Sequence, residues 1–143
     1  MNILWICTDQ QRFDTLGCTG NEWVHTPNLD RLASEGVLFE NAYAQSPVCA
    51  PSRGSFLTGR YPRTCGPRQN GQDIDAKERL LPRILADNGY YCGLAGKLHL
   101  SACHDNTGRL MEPRIDDGYH FFQWSHHPQP HHGTNWPANA YNQ

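Results

Sequence analysis

No apolar run in this chain is long enough to cross a membrane, which needs about 20 consecutive apolar residues. The chain starts Met1-Asn2 and enters Ile3-Leu4-Trp5-Ile6-Cys7 at once. That start lacks the basic segment and small-residue cleavage site of a secretion signal. A membrane partner is therefore not expected, and a cytoplasmic location is. An excess of positive charge is also missing. There are 12 lysines and arginines against 14 aspartates and glutamates, a formal charge of −2 with histidines neutral. Such a balance carries no footprint for nucleic acid. The six cysteines, at 7, 18, 49, 65, 92 and 103, include no Cys-x-x-Cys pair, which argues against a structural zinc site. Reduced thiols are the expectation. Hydrophobic residues make up only 38% of the 143, low for a self-contained globule.

What is present alternates between two periods. Residues 2–8 read as a fully buried strand. Thr26-Pro27 then reads as a cap and first helical position. Leu29, Leu32 and Ala33 share one face of that helix, and Gly36 ends it. Residues 37–43 read as a second strand and about 50–58 as a second helix. Pro82 opens a third helix, with Ile84 and Leu85 inward, that stops at Gly89. Residues 90–95 read as a third strand, running into Gly96-Lys97-Leu98-His99. Alternation of this kind predicts an α/β layer fold, with ligand residues at strand ends. Asp9 and Lys97 follow the first and third expected strands. Cys7 and Cys92 fall within the expected strands and read as buried small residues.

The densest chemistry lies in Pro47-Val48-Cys49-Ala50-Pro51-Ser52-Arg53-Gly54-Ser55-Phe56-Leu57-Thr58-Gly59. Pro51 suits a first helical turn, where its missing N–H is not needed, and Gly59 suits the stop. Cys49 is then expected just ahead of a helix N-terminus, where unpaired N–H groups and the dipole favour negative charge. An anionic ester and an ionised nucleophile both need such a place. A plain thiolate could use it too, so local physics alone admits ordinary cysteine chemistry.

The whole stretch, beyond its Cys-x-Pro-Ser-Arg centre, resembles the sulfatase signature. Three other segments do so in family order. Asp9-Gln10 stands where sulfatases carry an acidic metal-binding pair, although Gln10 replaces a common second aspartate. Its amide oxygen can still coordinate a hard cation, without charge. Phosphonate monoester hydrolases of the wider alkaline phosphatase-like superfamily share Asp-Gln at this place. Residues 26–43 resemble the family closely and read as packing. Finally, residues 89–99, Gly-Tyr-Tyr-Cys-Gly-Leu-Ala-Gly-Lys-Leu-His, resemble the second signature. They depart from it at Cys92, usually a hydroxyl residue, and at Leu98, usually an aromatic. On an extended segment Lys97 and His99 would face one side together.

The resemblance covers residues 2–100 well and 101–143 poorly, and implies the N-terminal part of an alkaline phosphatase-like catalytic domain. That fold is a mainly parallel central sheet flanked by helices, incomplete here. The implied activity is sulfate ester hydrolysis. Cys49 would be oxidised to formylglycine by a maturation enzyme and hydrated to a geminal diol. One hydroxyl attacks sulfur and the alcohol leaves; the other then expels sulfate and restores the aldehyde. Arg53 would hold the nucleophile, Lys97 would bind sulfate oxygens, and His99 would hydrogen-bond the diol or sulfate. Asp9, Gln10 and residue 49 would bind a divalent cation, calcium first and manganese second. The implied partners are a small-molecule sulfate ester, the maturation enzyme and the remainder of the catalytic domain, which would supply further metal ligands. A phosphonate or phosphate ester hydrolase, or a catalytically inactive fragment, is the alternative.

Past residue 100 the pattern fades. His126, His127, His131 and His132 form two adjacent pairs, but Pro128 and Pro130 resist a helix that would align them on a metal. A loop lining the substrate pocket is the expectation. The sequence stops at Tyr141-Asn142-Gln143 without a closing element, as expected of the middle of a protein.

Overall fold

The computed structural model describes residues 1–103 and 111–125. His104 and the four histidines at 126–132 lie outside the described residues. The chain divides into two compact units, Met1–Ala44 and Gln45–Gln143.

The first unit is built around one helix, α1, Pro27–Glu35. Pro27 opens it as expected, and Gly36 follows its end. The Thr26 side chain, however, makes no capping bond to the helix. Its hydroxyl instead accepts the Gly17 N–H at 2.8 Å and donates to Asp30 Oδ1 at 2.9 Å. Asp30 Oδ1 also accepts the Cys18 N–H at 2.7 Å. The helix thereby holds a short 3₁₀ turn, Gly17–Thr19, through side chains that pair backbone groups.

Two expected strands are absent from this unit. Residues 2–8 and 37–43 form neither helix nor strand. Leu4 is 84% exposed, Ile6 79% and Val37 77%. Cys7 is exposed as well, and α1 buries no residue, so Leu29 and Leu32 remain open. An apolar run becomes a strand only when a neighbour takes up its N–H and C=O groups. Among the described residues, strand pairing occurs only in the second unit.

That unit begins with α2, Cys49–Thr58, followed by the short α3, Pro62–Cys65, and by α4, Leu81–Asp87. Gly59 closes α2 in the left-handed conformation, φ 68°, and its N–H reaches the Ser55 carbonyl at 2.8 Å. Pro82 lies in the first turn of α4, and Gly89 just beyond it has φ 84°. Each of these punctuation marks is where the sequence placed it.

Strand β1, Gly93–Lys97, starts three residues later than expected and pairs in parallel with β2, Phe121–Ser125. The register sets Gly93 opposite Phe121 and Lys97 opposite Ser125. Parallel strands require a crossover connection, of which residues 98–103 and 111–120 are described. The core of the unit is formed by Ile74, Leu80, Leu98, Leu100, Cys103 and Trp124, with Leu57, Leu94, Ile115, Tyr119 and Phe122 packed against it. Two of its members, Leu98 and Leu100, follow directly on the end of β1. No helix among the described residues is long and apolar enough to cross a membrane.

Candidate active site

Cys49 is the first residue of α2 and follows Val48, which is extended at φ −100° and ψ 138°. The expectation set Cys49 one position earlier, just outside the helix. Pro51 is the third helical residue, still within the turn whose N–H groups have no partner inside the helix. The N–H just before it, that of Ala50, is taken by Asn70 Oδ1 at 3.0 Å. Asn70 thus caps α2 from 20 residues away in sequence. The regular ladder starts at the Ser52 N–H, which reaches the Val48 carbonyl at 3.1 Å. Further along α2, a Cβ at Gly54 would sit 3.3 Å from both Cys65 Sγ and Pro67 Cγ. That glycine lets α2 lie close against the α3 turn.

Arg53 is buried and donates from Nη1 to the Lys97 carbonyl at 2.6 Å. The cysteine helix and the end of β1 are tied at this point. A guanidinium is weakly hydrated and always charged, so it tolerates such burial better than an ammonium would.

Lys97 ends the strand, and Leu98, His99 and Leu100 are buried. His99 has φ 55°, a left-handed backbone unusual for a residue with a side chain. The extended alternation expected to align Lys97 with His99 therefore stops between them. Gln10 is the other non-glycine residue of positive φ among the described residues, at 52°. Both belong to the set that the sequence marked for chemistry, and backbone strain of this kind gathers at functional sites.

The turn after Lys97 is held by a residue the sequence did not mark. Glu112 is buried, and its carboxylate accepts the His99 N–H at 2.8 Å on Oε2. The Leu100 and Ser101 N–H groups meet Oε1, the latter at 2.8 Å. Trp124 of β2 donates its indole N–H to Oε2 at 2.9 Å. Burial pushes the Glu112 carboxyl above its usual range, while the four N–H donors pull it down. Asp73 supports the same segment by accepting the Ala102 N–H at 2.8 Å.

Asp9 and Gln10 belong to the first unit, whereas Cys49, Arg53, Lys97 and His99 belong to the second. Asp9 and Gln10 are exposed. The described residues contain no group of three or more His, Cys, Asp or Glu side chains that could hold a metal ion. Asp9 brings one anionic oxygen and Gln10 one neutral oxygen. This donor chemistry fits a hard cation such as calcium, which takes six to eight oxygens, and would supply only part of such a shell.

The sulfatase family model matches residues 1–141. The chain belongs to the sulfatase family. Among named relatives, steryl-sulfatase of Homo sapiens is 35% identical over 133 residues, which is 85% of this chain and 23% of the human protein. This sulfatase chain spans less than a quarter of the length of the curated relatives it matches. Among solved structures, a protein in complex with its substrate D-glucosamine-2-N,6-O-disulfate superposes with TM-score 0.63 at 30% identity. The match covers 76% of this chain and 20% of that one. Phosphonate monoester hydrolase of Agrobacterium radiobacter superposes with TM-score 0.61 at 31% identity, over 81% of this chain and 24% of its own. The fold is α/β of the alkaline phosphatase-like class, as the motifs implied.

Proposed function

We propose that this chain carries the nucleophile, Cys49, and sulfate-binding residues of a sulfate ester hydrolase. The observation that supports this reading best is the Arg53–Lys97 tie. It draws the helix that starts at Cys49 to the strand end that bears Lys97 and leads to His99. Family membership supplies the reaction class.

In this reading Cys49 is converted to formylglycine. The hydrated aldehyde supplies one hydroxyl for attack and a second for release of sulfate. The helix N-terminus favours the negative charge that develops there. Arg53 holds the nucleophile helix and offsets charge beside it. The Lys97 ammonium takes sulfate oxygens, and His99 donates a hydrogen bond to sulfate or diol. Asp9 and Gln10 would give oxygen ligands to a divalent cation, calcium in preference to manganese. When bound, that cation polarises the nucleophile and the sulfate oxygens.

The test has two parts, both on the active protein that carries this sequence. The peptide containing Cys49 is weighed for the loss of about 18 Da that replacement of CH₂SH by an aldehyde requires. Turnover is then compared on an aryl sulfate and an aryl phosphonate. The proposal expects the mass loss and faster sulfate turnover. An unmodified Cys49 in active protein, or a clear phosphonate preference, would refute it.

A further inference from the structure

We propose that Glu112 is a positioning residue of the sulfate site, setting the left-handed turn that carries His99 and thereby fixing His99 against the substrate. This inference rests on the function proposed above and adds a residue to it. Three consecutive backbone N–H groups, of His99, Leu100 and Ser101, converge on the one carboxylate. Successive N–H groups around a left-handed residue form a concavity that binds an anion, and here the anion comes from the chain itself. Without it, three buried donors in a non-repetitive turn would be unpaired, each at the full cost of its lost hydration. The fourth donor is the Trp124 indole on β2, the strand that pairs with β1. The carboxylate therefore links the turn after Lys97 to the neighbouring strand, and both oxygens are used.

A carboxylate suits this task better than its amide. Glutamine offers one oxygen as acceptor and turns the other position into a donor. In Glu112→Gln the NH₂ must face either the His99 and Trp124 N–H groups or those of Leu100 and Ser101. The turn must then shift, and His99 with it. A displacement of about 1 Å at a positioned group can cost about a hundredfold in rate.

The experiment measures kcat and KM on an aryl sulfate per formylglycine-bearing molecule, in the active protein that carries this sequence. Glu112→Gln is expected to lower kcat by about tenfold or more, with KM changed by less than about twofold. Glu78→Gln is the control: Glu78 is a largely buried carboxylate ion-paired with Arg60 at 2.6 Å, and its loss should leave kcat unchanged. A purely structural role for Glu112 would lower the amount of folded protein and leave kcat per active molecule intact. A folded Glu112→Gln protein with unchanged kcat and KM overturns the inference. Should that variant not fold, Trp124→Phe decides, because it removes one donor while keeping an aromatic ring. Lower kcat supports the proposal and unchanged kcat overturns it. His99→Ala separates the two levels. If His99→Ala abolishes turnover and Glu112→Gln does not change it, only the positioning role fails. Full turnover in His99→Ala would remove the site assignment itself.

Discussion

Arg53 donates from Nη1 to the carbonyl of Lys97 at 2.6 Å, and this bond joins two sequence signatures 44 residues apart. The bond needs a long, planar cation in a buried place, since the acceptor is backbone and admits no change of its own. Arg53→Met keeps most of the side-chain volume and loses the donor. It is expected to destabilise the second unit by about 2 kcal/mol, the range for a hydrogen bond from a charged group. Urea unfolding of the 143-residue chain measures this. A change near zero would show that the bond contributes nothing net.

Gly118 packs where no side chain fits. A Cβ there would lie 2.4 Å from Arg83 Cα and 2.7 Å from the Pro82 carbonyl carbon, and φ is 83°. Backbone atoms cannot swing aside as a flexible side chain can. Gly118→Ala is expected to cost about 3 kcal/mol or more, from overpacking and backbone strain together. Its unfolding midpoint should therefore fall well below that of the parent. A loss under about 1 kcal/mol would mean that this loop is free to move off α4.

How much of this was legible beforehand depended on what kind of signal each feature leaves. Pro27, Pro51 and Pro82 marked helix starts, and Gly36, Gly59 and Gly89 their ends, because both residue types act through local backbone geometry. The strand at 93–97 was visible in outline. Its partner was not: Phe122 and Trp124 do alternate inward, but the stretch before them has no period to frame the signal. The apolar runs at 2–8 and 37–43 carried a clear strand pattern and yet lie exposed. Hydrophobicity reports what a segment can bury, and pairing decides whether it does so. Of the candidate site, Cys49, Arg53, Lys97 and His99 came from motifs. Glu112 and Asn70 left no signal, because all their partners but the Trp124 indole are backbone N–H groups that every residue but proline has.

Tyr119 provides a test by pH. Burial pushes its hydroxyl up to about 12, with the charges of Asp117 and Cys92 adding to the effect. The native state then keeps a proton that the unfolded chain releases at about pH 10. Native binding of the extra proton means that stability falls as pH rises. The contribution is intact below pH 10 and lost as pH climbs through 10 to about 12. Phenolate absorbance of the parent minus that of Tyr119→Phe should show a late titration. A midpoint near 10 would place Tyr119 in water.

The cation proposed at Asp9 and Gln10 predicts a dependence on metal. Chelation should abolish turnover by the active protein that carries this sequence, and calcium should restore it better than zinc. Asp9→Asn should weaken cation binding and turnover together. Unchanged metal content in that variant would remove Asp9 from the ligand set.

Cys49→Ala bears most directly on the central claim, that residue 49 is the nucleophile of a sulfate ester hydrolase. The measurement is aryl sulfate turnover by the active protein that carries this sequence, beside its folded Cys49→Ala variant. Residue 49 sits at the half-buried start of α2, so the substitution should leave the fold nearly unchanged. Turnover is expected in the unsubstituted protein and none above background in the variant. Equal turnover in the two would contradict the claim.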